Sequence, residues 1–330
     1  MKIRNIITIL SVLAILIVAL NFSLVADIFG IGEDGSEVVV EVQSGEGLKS
    51  IAQKLEEKGV VKNKNVFYVY AKSKYAKFQY GGHVFTPGMS YGEISAELCE
   101  TGNVDTVSVV IPEGYELRLI AQAYADTGIV TVDEFMEAAS KVSYEDYAFL
   151  EKGVDNLEGY LFPATYDVAV NSTADDIVKN MLNAFQKIYT DEHMKRAEEL
   201  GMSHHDVVTL ASIIEREAAN ESEHKKVAGV FYNRIKDGMK LQSCATVQYI
   251  LKERKPVLTI ADTEIDSPYN TYMYEGLTPG PIASPGKSAI EAVLWPEEHD
   301  YYYFVARADG NGHVFSKTFN EHQRAVSQNQ

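Results

Sequence analysis

Glu215 and Glu217 close the segment Leu210-Ala-Ser-Ile-Ile-Glu-Arg-Glu-Ala-Ala-Asn220, and they are the residues of this chain best arranged for proton chemistry. With Ser203 as N-cap, an apolar helical stripe runs through Val207, Leu210, Ala211 and Ile214 and continues onto Glu217 and Ala218. A carboxyl that arrives on an apolar face must be paired or used, because burial disfavours its charged form and moves it toward the range of a general acid. Glu215 projects about 160° away from Glu217 on an ideal helix, so the two are not a facing dyad. Two uses of Glu217 stay open on this pattern: acid/base catalysis, or an ion pair with an arginine such as Arg234 that joins two helices. Glu215 and Arg216 read as ordinary solvated charges. No metal is expected, since His204, His205 and His224 lack the His-Glu-x-x-His spacing that puts two imidazoles on one helical face.

The elements around this helix set its context. A chain of 330 residues, 46% hydrophobic and 23% charged, is long enough for two domains and an anchor. Its net charge of -17 offers no basic stripe for a phosphate backbone, which excludes nucleic acid as the main partner. The two cysteines, Cys99 and Cys244, can build neither a disulfide framework nor a four-thiolate zinc site. Residues 6–26 are uncharged and near the span of a bilayer core, with Lys2 and Arg4 before them and Asp27, Glu33 and Asp34 after. That asymmetry predicts a single-pass membrane anchor with a cytoplasmic N-terminus (residues 1–5) and an extracytoplasmic remainder.

Beyond a linker at 27–36, Val38–Val42 reads as a strand, and Leu48, Ile51, Ala52 and Leu55 give a helix stopped at Gly59. The phrase Ile51 to Gly59 recurs at Ile94 to Gly102 and at Ile120 to Gly128, which suggests a small α+β unit repeated across 37–140. Units of this kind resemble LysM domains, which bind aminosugar polymers. The remaining residues, 141–330, read as a mixed domain. Its loop Asn156 to Tyr166 carries Glu158 and Tyr160, fit to line a groove or to pack one. A long helix is predicted from Thr173 to near Gly201.

Ile213-Ile-Glu-Arg-Glu-Ala218 is similar to the segment around the catalytic glutamate of goose-type lysozymes and soluble lytic transglycosylases, and the alignment selects Glu217. More widely, Val38 to Phe67, Val109 to Gly114, Glu158 to Pro163, Leu210 to Glu217, Val230 to Arg234, Gly238 to Gln242, Ser267 to Tyr272, Gly276 to Ile282, Ser284 to Gly286 and Tyr303 to Val305 together resemble the endolytic murein transglycosylases of the MltG (YceG-like) family. The resemblance implies an α+β chain with a transmembrane helix, a LysM-like module and a catalytic domain using one essential glutamate and no cofactor. It implies cleavage of the MurNAc-GlcNAc β-1,4 bond of peptidoglycan strands to leave 1,6-anhydro ends, beside cell-wall synthases at the membrane. Tyr269 and Tyr272 are then candidates to stack on sugar rings, Asn270 to bond an N-acetyl group, and Gln242, Asn233 and Glu158 to supply further polar contacts. Cys244 stands where the family resemblance leads one to expect aspartate. Two competing readings are a lysozyme-like hydrolase, with a second carboxylate from Asp262, Glu264 or Asp266, and a non-catalytic protein that binds the wall or organises synthases.

Overall fold

Branched residues in Val38–Val42 favour an extended strand, and they form β1, which pairs antiparallel with β2 (Gly81–Phe85) in the register Val38 to Phe85 and Val42 to Gly81. The computed structural model describes residues 24–31, 36–43, 46–74, 78–100, 106–143, 146–151, 154, 156–255 and 257–329. The chain divides into two compact units, one running to Val109 and taking in Tyr166–Ser172, the other comprising Val110–Thr165 and Thr173–Gln330.

In the first unit, β1 and β2 lie with α1 (Leu48–Glu57), α2 (Lys64–Lys74) and α3 (Tyr91–Glu97). Ile51, Ala52 and Leu55 of α1 meet Val40, Val42, Phe67, Phe85 and Ile94 in one core. Full burial of each such large aliphatic or aromatic side chain contributes roughly 1.5–3 kcal/mol. Gly59, at φ +73°, ends α1 in the left-handed conformation its sequence position predicts. Ser90 and Glu93 form a reciprocal capping box that starts α3. β3 (Thr106–Val110) pairs with β4 (Thr165–Ala169).

Glu41 is buried on β1, where its carboxylate accepts from Gln43 Nε2 at 2.7 Å and from Ser172 Oγ at 3.4 Å. Burial, against the pull of nearby Lys54, pushes this carboxyl from 4.5 up to about 7. Below 4.5 both folded and unfolded states hold the proton. As pH rises toward 7 the unfolded chain releases it first, and about 3 kcal/mol of stability is lost before the dependence levels off. Glu41→Gln should therefore raise the melting temperature at pH about 8 and leave it nearly unchanged at pH about 4; thermal melts at the two pH values check this, and equal shifts at both would contradict it.

The α+β class is as expected, but the transmembrane helix and the single-pass localisation built on it are not supported. Among the described residues no helix is long and apolar enough to cross a membrane. Of the predicted anchor at 6–26, residues 6–23 lie outside the described residues, as do the tail at 1–5 and residues 32–35 of the linker. Of the acidic flank, Asp27 is part of the first unit, where it accepts hydrogen bonds from the Lys62 N–H, at 3.1 Å, and from the Tyr91 hydroxyl.

The second unit is mainly helical: α4 (Leu117–Ala125), α5 (Val132–Lys141), α6 (Ala174–Ile188), α7 (Asp191–Leu200), α8 (His204–Glu217), α9 (His224–Lys236), α10 (Cys244–Leu251), the short α11 (Ile260–Thr263) and α12 (Lys287–Leu294), followed by the hairpin β5 (Tyr303–Ala306) and β6 (His313–Ser316) and by α13 (Phe319–Asn329). The single helix predicted between Thr173 and Gly201 is two. Tyr189 leaves helical geometry at ψ 80° with its ring buried against Phe149 and Phe185, and Asp191 and Glu192 favour a new helix N-terminus. Gly201 then ends α7 at φ +68°.

α8 starts at the predicted cap: Ser203 accepts from the Asp206 N–H, and Asp206 answers the Ser203 N–H. Every residue from Val207 to Ile214 is buried, and α7, α9, α10 and α12 all pack against the helix. The one-sided stripe inferred from sequence is thus part of a helix enclosed on all sides.

Candidate functional site

α8 stops where Ala218 turns extended, at φ -72° and ψ 140°, leaving Glu217 on the last helical residue. Its side chain meets the N-terminus of α10. The N-cap of that helix, Ser243, makes no cap bond to its own helix. Instead the Ser243 hydroxyl donates to Glu217 Oε1 at 2.5 Å, and the Ala245 N–H donates to the same oxygen at 2.9 Å. Glu217 therefore caps α10 from another helix, where unpaired amides and the helix dipole favour an acceptor. Both bonds fall on Oε1, so Oε2 is the oxygen left to hold or release a proton.

Ser243 is fixed in turn. Its N–H donates to Thr271 Oγ1 at 2.9 Å, and Thr246 Oγ1 lies 2.9 Å from both the Ser243 carbonyl and Thr271 Oγ1. Gln242 precedes it at φ 49°, a left-handed conformation costing a non-glycine residue roughly 1 kcal/mol, with its N–H on the Thr271 carbonyl at 3.0 Å.

Glu217 opens into a cleft of about 460 Å³ lined also by Gln242, Cys244, Tyr272, Phe231, Arg234 and the aromatic side of the C-terminal elements, Tyr303, Phe304 and Phe319, with His322. Among the described lining residues Glu217 is the only carboxylate. Arg234 donates to the carbonyls of Tyr302 at 2.7 Å and Leu241 at 2.8 Å, and its guanidinium lies 5.1 Å from the Tyr303 ring centre. It braces the cleft floor through the backbone, a different role from the helix-joining ion pair considered from sequence. Cys244 Sγ lies 3.1 Å from the Tyr272 hydroxyl, and burial together with the Glu217 charge pushes the thiol up, away from a reactive thiolate.

Glu215 and Arg216 are not the solvated charges their sequence suggests. Glu215 accepts from the Gly286 N–H at 3.0 Å, and burial, reinforced by Glu113 and Glu221, pushes it up to about 7. Arg216 faces Glu116 at 3.4 Å, with side chains only 4% and 5% exposed. The two glutamates thus point to opposite sides of α8, as the helical spacing requires.

Of the other residues singled out from sequence, Gln242 and Tyr272 join Glu217 in the cleft. Asn270 is fully buried and uses its amide on the carbonyls of Thr263 and Ile265. Asn233 bonds the carbonyls of His299 and Tyr301. Glu158 and Tyr269 line a different cleft. Ser243, the Ala245 amide, Tyr303, Phe304, Phe319 and His322 were not anticipated. Ser243 carried a sequence signal as a helix-cap residue just before the apolar run of α10, and Tyr303 and Phe304 one only as part of a segment shared with the family.

Residues 40–328 match the model of the YceG-like family. The chain belongs to that family. Within the YceG-like family it is similar to a protein of Bacillus subtilis named endolytic murein transglycosylase, 37% identical over 87% of this chain and 83% of that protein. A Streptococcus pneumoniae protein of the same name is 30% identical over 88% of this chain, which spans 58% of that relative's length. A crystal structure of a yceG-like protein from Listeria monocytogenes superposes with a TM-score of 0.61 at 34% identity, covering 88% of this chain and 99% of that one.

Proposed function

We propose that this YceG-like chain is an endolytic murein transglycosylase that cleaves the MurNAc-GlcNAc β-1,4 bond of peptidoglycan strands, with Glu217 as its acid and base. The observation that carries the reading is a lone carboxylate, held at one oxygen by Ser243 and Ala245, in an aromatic-lined cleft. Hydrolytic glycosidases ordinarily need two carboxyl groups. A transglycosylase needs one, because its nucleophile belongs to the substrate.

Glu217 Oε2 delivers a proton to the glycosidic oxygen, the bond from that oxygen to C1 of MurNAc breaks, and positive charge develops at C1. The C6 hydroxyl of the same sugar then bonds to C1 and returns its proton to Glu217, leaving a 1,6-anhydro end and an unchanged enzyme. No water enters. The attacking hydroxyl is already attached to the reacting ring, so positioning supplies much of the acceleration. Tyr272, Tyr303 and Phe319 offer faces on which rings can stack, and Gln242 a polar contact. Classification as a polysaccharide lyase and partnership with cell-wall synthases belong to the same proposal and rest on the family resemblance.

Two of the three candidates for a second carboxylate, Asp262 and Asp266, are occupied elsewhere. Asp262 caps α11 through Thr259 and pairs with Lys255 at 2.9 Å; the Lys255 and Thr259 hydrogen bonds hold it down to about 2. Asp266 accepts from the Tyr274 hydroxyl at 2.6 Å. Digestion of purified peptidoglycan by the full chain should yield anhydromuramyl ends by mass; reducing ends would favour the hydrolase, and binding without products the scaffold.

Ser243 is a positioning residue for this chemistry, since it touches Glu217 and through it the substrate. Removing a hydrogen bond to a charged group costs about 1.5–3 kcal/mol, so Ser243→Ala should lower kcat by about 10- to 100-fold while KM changes little. Ser243→Thr, which keeps the hydroxyl, should restore most of it. A rise in KM alone, or failure of threonine to rescue, would remove Ser243 from this role.

A further inference from the structure

The proposed reaction leaves a second cleft of the same unit without a task. It measures about 360 Å³ and is walled by Leu117 of α4, Met136 of α5, Tyr249 and Ile250 of α10, and Tyr269, over a polar floor that includes Glu158. Resting on the glycan-strand reading above, we propose that this cleft is a second saccharide-binding site, holding a neutral N-acetylhexosamine ring of the strand away from the scissile bond.

The volume falls in the range of small-molecule sites, and the lining joins broad apolar faces to a few fixed polar groups. The Tyr249 and Tyr269 rings sit 5.2 Å apart at 42°, forming an angled aromatic wall against which the apolar face of a sugar can lie. Glu158 is 6% exposed. Its Oε1 accepts from the Leu117 N–H at 2.8 Å and its Oε2 faces the Tyr249 hydroxyl at 3.4 Å. Burial, with Glu116 nearby, pushes this carboxyl up to about 8, so at neutral pH it is largely a neutral acid able to donate as well as accept.

The polar floor favours a neutral ligand. Two cations line the cleft, Arg118 and Lys252; Arg118 is held by Glu116 at 2.7 Å and donates to the Lys252 carbonyl at 3.2 Å. With Arg118 neutralised by Glu116 and Glu158 largely protonated, the polar floor suits hydroxyls and an acetamido group. α10 links the two clefts: Cys244 lines one and Tyr249 the other, on the order of 8 Å further along the helix axis at 1.5 Å per residue. A strand gripped at both ends of one rigid helix is held in register with Glu217, which suits cutting within a polymer.

The test is a calorimetric titration of the full chain carrying Glu217→Gln with tri-N-acetylchitotriose, repeated with Tyr269→Ala and with Met136→Trp added. Met136 is 37% exposed, so tryptophan there fills the cleft from its rim without disturbing the core. Each added substitution should weaken binding about tenfold, the scale of one lost aromatic contact or more. Affinity unchanged in both variants would overturn the proposal, as would displacement of the sugar by a free stem tripeptide. Retained cleavage by Glu217→Gln would instead refute the catalytic assignment, leaving this titration independent of it.

Discussion

Glu217→Gln is expected to lower release of anhydromuramyl products by about a thousandfold or more, because in the proposed mechanism one group supplies both the acid and the base step and each such role contributes roughly 10²–10⁴. The substitution is close to isosteric. A glutamine oxygen can still accept from the Ser243 hydroxyl and the Ala245 N–H, so α10 keeps its cap and the melting temperature should barely move. Glu215→Gln is the matched comparison: it lies two residues away, faces Gly286 rather than the cleft, and should keep most of the activity. Loss in Glu215→Gln with retention in Glu217→Gln would reverse the assignment of the two carboxyls.

The second large effect concerns stability. Arg216 and Glu116 form an ion pair whose side chains are almost wholly withdrawn from water. Arg216 also approaches the Gly114 carbonyl at 3.5 Å, and Arg254 reaches the same oxygen at 3.4 Å. Breaking a buried pair from one side costs about 3–5 kcal/mol when the other charge is stranded; Glu116 still holds Arg118 at 2.7 Å, so Arg216→Met should lower the urea midpoint by less than that full amount, with little change in slope. Replacing both partners, Arg216→Met with Glu116→Leu, should recover part of the loss, because the one cation this releases, Arg118, is 42% exposed and can turn to solvent. A small effect in the single variant would show that water or other groups compensate the carboxylate.

These two outcomes mark what the sequence could and could not convey. The Ser203 cap, the apolar run of α8 and the opposite directions of Glu215 and Glu217 follow from local periodicity, and the structure keeps all three. Periodicity failed where it assumes one wet face. Neighbours enclose α8 along Val207 to Ile214, so Glu215 and Arg216 just beyond, which read as surface charges, are partly withdrawn from water and held by specific partners. The Ser243 contact to Glu217 depends on two helices meeting at their ends, which no spacing along the chain encodes. Tyr303, Phe304 and Phe319 look in sequence like any hairpin and helix core, and only the fold turns them toward the glutamate. Asn270, chosen for its chemistry, is consumed by backbone carbonyls that local loop geometry brings within reach. The break at Tyr189 likewise reflects burial of one ring, a tertiary preference overriding helical propensity.

The central claim is that Glu217 drives attack by the substrate's own hydroxyl rather than by water. Digestion of purified peptidoglycan by the full chain in heavy-oxygen water, followed by mass spectrometry of the fragments, separates the two directly. The account predicts anhydromuramyl ends carrying no heavy oxygen; reducing ends that have gained one heavy oxygen per cleavage would contradict it.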